Sequence, residues 1–208
     1  MSNQSQSLLV SENLECTRDD RLLFSGLNFQ LHASEVLQIE GPNGSGKTSL
    51  LRAMAGLLDF ETGDVCWKGS LVRQTYQAFR NDVAWLSHRV GFKGDLTITE
   101  NLAFERGLRA TDDAGYASVL DQLSLARLVD LPFRSLSAGQ QRRVALARML
   151  LSTASLWMMD EPVSNLDRDG RELAKVLLVE HLQKGGMAIV AAHQDMDIDV
   201  PTHRITLQ

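Results

Sequence analysis

Four short runs of apolar residues punctuate the chain, and each ends on polar side chains able to do chemistry. Val36-Leu37-Gln38-Ile39 leads into Gly41, Val83-Ala84-Trp85-Leu86 into Ser87-His88, Leu156-Trp157-Met158-Met159 into Asp160-Glu161, and Met187-Ala188-Ile189-Val190-Ala191-Ala192 into His193. Near-continuous apolar runs of this length suit strands buried on both faces of a parallel sheet. Open α/β sheets place their ligand sites beyond the carboxyl ends of their strands. One site fed by strands distant in sequence is therefore expected.

Helical periodicity fills the intervals. Leu50, Leu51, Met54, Leu57 and Leu58 predict a helix directly after the first strand. Thr97-Ile98-Thr99-Glu100 has the form of a capping box opening a helix through Leu102 and Phe104, and Ser137-Ala138-Gly139-Gln140 has the same form. Ser118 to Leu128 reads as a further helix, and Pro132 breaks the chain between them. Val144, Leu146, Ala147 and Leu150 give the last helix a core-facing stripe. These patterns predict a helical insert over roughly residues 90–152. The alternations in Leu8–Leu14, Leu22–Leu31 and Gly63–Trp67 predict an additional antiparallel β element.

The chain has 208 residues, enough for one substantial domain or a domain with a subdomain. No apolar run approaches the roughly 20 residues of a membrane span, and the polar, uncharged stretch Met1 to Gln6 does not read as a secretory signal. A net charge of -5 argues against a general nucleic-acid binder, which usually carries a basic face. Cys16 and Cys66 have neither metal-binding nor redox-motif spacing and read as two reduced thiols.

The chemistry begins at Gly41-Pro42-Asn43-Gly44-Ser45-Gly46-Lys47-Thr48, followed by Ser49. A strand, a glycine-rich loop ending in Gly-Lys-Thr, and a helix form a phosphate cradle. Its glycines let backbone N–H groups curl around phosphate oxygens, and the helix start adds free N–H groups and a positive dipole end. Lys47 would neutralise the β- and γ-phosphates, and the Thr48 hydroxyl would bind Mg²⁺. Asp160 and Glu161 at another strand end suggest divided labour. Asp160 would hold the metal with Thr48, and Glu161, turned the other way by strand alternation, would orient or deprotonate the attacking water. The Ser137 helix start is a second anion-binding end, although capping alone accounts for its spacing. Arg142, Arg143 and Arg148 read by default as a solvated helix face. His193 stands at a strand end, where a structural and a catalytic role are evenly matched.

Taken together, these residues resemble an ATP-binding cassette (ABC) ATPase over nearly the whole chain. Gly41–Thr48 looks like its Walker A loop, Leu156–Asp160 like Walker B, and Glu161 like the catalytic glutamate. Leu136-Ser137-Ala138-Gly139-Gln140 is similar to the signature LSGGQ with Ala138 replacing one glycine. Ser164-Asn165-Leu166-Asp167 resembles the D-loop, and His193 the switch histidine. The resemblance implies an α/β P-loop NTPase fold in one nucleotide-binding domain, residues 1–208. Its parts would be a RecA-like parallel-sheet core, an antiparallel β element and a helical subdomain. It also implies that two cassettes pair head to tail with ATP and Mg²⁺ between them. Ser137, Gly139 and Gln140 of one would then complete the site formed by Lys47, Glu161 and His193 of the other, with a closed symmetric pair as the default.

Two departures stand out. The family's Q-loop glutamine, a metal-side contact, falls by register on His88, with Arg89 beside it; imidazole hydrogen-bonds water as glutamine does but titrates near neutral pH. The aromatic that stacks on adenine is replaced by Arg18, whose guanidinium can stack on a base; looser base selection is expected. Within the family the chain is most similar to ATP-binding subunits of the haem exporter of cytochrome c maturation, chiefly through Ser25–Phe29 and Ser87–Lys93. That implies CcmB-like and CcmC-like membrane partners and a peripheral position on the cytoplasmic face of the bacterial inner membrane, contacted around His88–Asp95. The competing expectations are the ATPase of another small exporter and a nucleotide-gated scaffold without useful hydrolysis. A DNA-repair or translation ATPase is disfavoured by the single cassette and the acidic charge.

Overall fold

The computed structural model describes residues 8–18, 21–88, 91–108, 115–193 and 196–207, apart from the side chains of Arg18, Arg21 and Leu108. In chain order the elements are β1 (Leu9–Arg18), β2 (Arg21–Leu31), β3 (Val36–Glu40), α1 (Lys47–Met54), β4 (Thr62–Trp67) and β5 (Ser70–Leu71). Then come α2 (Tyr76–Asn81), β6 (Val83–Leu86), α3 (Ile98–Leu108), α4 (Tyr116–Gln122), a 3₁₀ turn (Phe133–Ser135) and α5 (Ala138–Leu151). The chain continues through β7 (Leu156–Asp160), α6 (Arg168–Gln183), β8 (Met187–Ala191) and β9 (Thr202–Thr206).

The four apolar runs form strands β3, β6, β7 and β8 of one sheet, ordered β6-β7-β8-β3-β9, with every neighbouring pair parallel. Their side chains divide with period two. Leu37, Ile39, Leu156, Met158, Met187 and Ile189 enter one core, together with Leu50, Leu51 and Met54 of α1 and side chains of the antiparallel sheet β2-β1-β4-β5. Val36, Trp157, Met159, Ala188 and Val190 enter the other, against buried side chains of α3, α4, α5 and α6. The parallel sheet is thus the middle layer, with both faces covered. Polar groups on this scaffold reach a ligand at the strand ends, not from the faces.

The helix starts follow their sequence signals. In the Thr97 box the Glu100 amide donates to Thr97 Oγ1 at 3.1 Å and the Thr97 amide donates to Glu100 Oε2 at 2.8 Å. Ser137 and Gln140 bond reciprocally in the same way at the head of α5. Asp167 caps α6 by accepting from the Gly170 amide at 2.8 Å.

Several ends differ from the sequence reading. Helix α1 stops at Met54, because Gly56 turns into the left-handed region (φ 68°), and Leu57 is exposed. Helix α4 stops at Gln122 rather than running to Leu128; Ser124 takes φ 58°, and the turn buries both Leu123 and Leu125. Strand β9 and helix α2 carry no clear periodicity. The sequence Thr-His-Arg-Ile-Thr of β9 is mostly exposed because the strand forms the sheet's edge beside β3. Both cysteines are free.

A partly buried polar contact ties the antiparallel sheet to the start of β6. The indole N–H of Trp67, a largely buried side chain, donates to Asp82 Oδ2 at 2.7 Å, and Lys68 Nζ donates to the same oxygen at 2.8 Å. Burial would raise the Asp82 carboxyl pKa, but the bonds from Lys68 and Trp67 outweigh it and hold it below the usual aspartate value. A group depressed in the folded state contributes stability above its unfolded pKa, about 3.9, and loses that contribution as pH falls through the folded value. Asp82→Ala should therefore lower stability by about 1–2 kcal/mol at neutral pH in urea titrations. The gap to the native chain should narrow steadily below about pH 4, and a gap of constant size from neutral to acid pH would show that the carboxylate is not the source.

Candidate functional site

All three glycines of the loop after β3 stand at positive φ, where a side chain is strained, and two of them also have close neighbours. A Cβ on Gly41, at φ 150°, would stand 2.5 Å from the Leu207 carbonyl oxygen and 2.6 Å from Ser45 Oγ. Gly46, at φ 98°, caps α1 in the left-handed region, with Leu23 of β2 lying 3.2 Å from where its Cβ would be. No side chain caps α1 and its first turn holds no acidic residue, so the amide end of the helix keeps its positive character toward the loop. Lys47 is buried and arches back over the loop, its Nζ donating to the carbonyls of Gly41 at 2.7 Å and Pro42 at 2.9 Å.

The ends of β7 and β8 close on this loop. Thr48 Oγ1 donates to Asp160 Oδ2 at 2.9 Å, joining residues 112 apart in the chain, and Asp160 is almost fully buried. Glu161 lies beyond the strand, and its φ is 51°. A non-glycine residue in that region costs about 1–2 kcal/mol. The two carboxylates do serve different partners, but a left-handed backbone separates them, where simple strand alternation had been expected. Glu161 Oε1, buried and without a hydrogen bond, stands 3.4 Å from His193 Nε2. The backbone of Glu161 is held on both sides. Its amide donates to the Ala191 carbonyl at 2.8 Å, and its carbonyl accepts from the amide and hydroxyl of Ser164 at 3.1 and 2.9 Å.

These groups line one open cleft of about 790 Å³, together with Asn43, Gly44, Ser49, His88 and Leu23. Gly41, Pro42 and Ser45 form the loop's base, and Ser45 Oγ is buried without a hydrogen bond. His88 is exposed at the cleft edge, whereas Arg89 lies outside the described residues. Arg18 pairs with Arg21 at the end of the β1–β2 hairpin, and its side chain also lies outside the described residues. Ser137, Gly139 and Gln140 do not line the cleft; they head α5, where Gly139 sits 3.3 Å from the Asn165 carbonyl oxygen, measured from its would-be Cβ.

The oxygen pair of Thr48 and Asp160 fits Mg²⁺, which takes one or two protein oxygens alongside phosphate and water. Among the described residues no group of three His, Cys, Asp or Glu side chains forms a metal cage. An imidazole is a weaker match than carboxylate or water for this ion.

Leu23 and Arg142 were missed by sequence reasoning, whereas Ser164, which lines the cleft, is the first residue of the D-loop resemblance. Leu23 carries no distinguishing signal in an apolar strand. For Arg142 the signal was present: it precedes Ala145 and Leu146 by three and four residues, which places it on the buried stripe of α5. The solvated-face reading of the arginines is therefore corrected. Arg142 is buried, and Arg148 is half-buried with Nη2 donating to the Trp85 carbonyl at 2.9 Å. Arg143 reaches Asp167 at 3.7 Å.

Known proteins resemble this chain in sequence and in fold. Residues 24–164 match the family described as ABC transporter. The cytochrome c biogenesis ATP-binding export protein CcmA of Vibrio cholerae is 43% identical over 95% of this chain and 96% of its own length. The protein of the same name from Yersinia pseudotuberculosis is 45% identical over 91% and 87%. Among solved structures, an ABC transporter ATP-binding protein from Pyrococcus furiosus superposes with a TM-score of 0.83 at 21% identity, covering 95% of this chain and 97% of that one. A cassette solved in its ADP conformation superposes at 0.79 and 20% identity, covering 97% and 87%. With a family match over more than half its length and close relatives along nearly all of it, the chain belongs to the ATP-binding cassette transporter family, as one of its ATP-binding subunits.

Proposed function

We propose that this chain is the ATP-hydrolysing subunit of a bacterial ABC transporter that drives haem export or handling in c-type cytochrome biogenesis. The observation that carries the catalytic reading is the convergence in one cleft of Lys47, the Thr48–Asp160 pair and the Glu161–His193 pair. The transport assignment is supported by the relatives from Vibrio cholerae and Yersinia pseudotuberculosis, whose names state cytochrome c biogenesis and export.

In this reading Lys47 and the amides of Gly44 to Ser49 hold the phosphates of ATP. Thr48 and Asp160 would hold Mg²⁺, which would supply charge neutralisation for the phosphates. Glu161 accepts a proton from, or orients, the attacking water, and its unbonded Oε1 gives it the acceptor to do so. His193 faces the same oxygen and is placed to contact the γ-phosphate and register its loss. His88 reaches the metal side through water.

Ser137, Gly139 and Gln140 lie away from their own cleft, on a helix start where Ser137 is exposed and the other two are half-buried. They serve instead a second copy, in a head-to-tail pair closed on ATP. The whole chain acts as one nucleotide-binding domain, with α3, α4 and α5 in a helical subdomain over about residues 90–152. Among the described residues no helix is long and apolar enough to cross a membrane. Membrane subunits of the CcmB and CcmC type would therefore hold it at the cytoplasmic face of the inner membrane. Their contact falls around His88–Asp95, where a groove of about 380 Å³ opens beside Leu57, Trp85, Ser87, Gly91 and Arg148.

Glu161→Gln should cut steady-state ATP turnover by roughly 10²–10⁴-fold and leave an ATP-bound dimer visible by size-exclusion chromatography with multi-angle scattering. Native turnover in that variant removes Glu161 from the base role. Lys47→Ala should weaken binding of a fluorescent ATP analogue by more than tenfold, since a charge-assisted contact of about 1.5–3 kcal/mol is lost. Unchanged affinity would take Lys47 out of phosphate binding.

A further inference from the structure

The side chain that ties the cleft to the signature helix is Arg142. It stands on α5, one turn beyond Gly139, and is only 2% exposed. Among the described residues its guanidinium has no carboxylate oxygen within bonding distance. It spends its donors on four backbone carbonyls: Nε on Pro162 at 3.1 Å, Nη1 on Ser87 at 2.8 Å, and Nη2 on Asp160 at 2.9 Å and on Glu161. Burial pushes the guanidinium pKa down to about 10, against the pull of the nearby Asp160 and Glu161 charges, so it stays cationic at neutral pH. Three of the four carbonyls belong to consecutive residues 160–162, the turn in which Glu161 adopts φ 51°. The fourth, Ser87, precedes His88 and lines the groove beside β6. Only a planar fork with several fixed donors spans these acceptors at once; an ammonium on a flexible stem is a single point.

We propose that Arg142 is a positioning residue for hydrolysis, holding the left-handed turn that presents the Glu161 carboxylate and locking that turn to the end of β6 and to α5. The inference rests on Glu161 being the group that acts on water. Arg142 touches neither nucleotide nor water and acts through the placement of Glu161. Misplacement of a reacting group by about 1 Å can cost on the order of 10²-fold in rate.

The test is single-turnover hydrolysis of radiolabelled ATP by the full-length chain carrying Arg142→Lys, in the native background and in the Glu161→Gln background. Affinity for a fluorescent ATP analogue and thermal melting are measured alongside. The expected result is a kcat lowered roughly 10–10²-fold, unchanged nucleotide affinity, and no further loss when Glu161 is already Gln. An equal loss in both backgrounds overturns the proposal, because Arg142 then acts independently of Glu161. A native kcat, or a loss confined to nucleotide affinity, overturns it equally. Arg142→Gln is measured in parallel as a shorter side chain that keeps hydrogen-bond donors. If neither variant melts cooperatively, Arg142 is a folding residue alone and the proposal fails. The underlying reading is separable: Glu161→Gln turning over at the native rate removes that reading, whereas a dead Glu161→Gln beside a fully active Arg142→Lys removes only the inference.

Discussion

Burial of both faces of the parallel sheet is the constraint from which the rest follows. With apolar side chains packed against a core on either side, strands β3, β7 and β8 have only their carboxyl ends to offer a polar ligand. Parallel pairing brings those ends to one rim, so residues more than a hundred positions apart become neighbours. The Thr48–Asp160 bond, spanning 112 residues, is the direct product of that register. The phosphate loop, the carboxylates and the histidine need no further device to converge.

What the sheet does not supply is the direction of Glu161. The strand ends at Asp160, and the next residue leaves in a conformation that a glutamate does not prefer. It stays there because Ala191, Ser164 and Arg142 occupy its backbone groups from three sides. Backbone strain of this kind, sustained by surrounding bonds, clusters at functional sites. Here the supports come from a neighbouring strand, a turn and helix α5. The backbone that carries the carboxylate is therefore held by three separate parts of the fold.

The buried strands were readable because a strand covered on both faces reads as a near-continuous apolar run. The capped helix starts were readable because Thr97–Glu100 and Ser137–Gln140 carry their own hydrogen-bond partners at fixed spacing. The phosphate loop needed only its glycines, lysine and threonine. Legibility failed where tertiary context overrides local pattern. The exposed edge strand β9 has no apolar alternation to betray it, since one side of it has no neighbouring strand among the described residues. Helices α1 and α4 end early at single left-handed residues that periodicity cannot anticipate. Arg142 was misassigned because charge suggests solvent, while its place on the buried stripe of α5 suggested the opposite.

Leu207 closes the phosphate loop from behind. Its carbonyl oxygen fills the space that a side chain on Gly41 would need, and its amide donates to the Glu40 carbonyl at 2.8 Å. The loop emerges early from the ribosome, but its rear wall is supplied by the segment after β9, more than 160 residues later. A nascent chain still short of that segment holds the glycine-rich motif without its backing. The backing of the glycine-rich loop is thus complete only once the last strand of the sheet is in place.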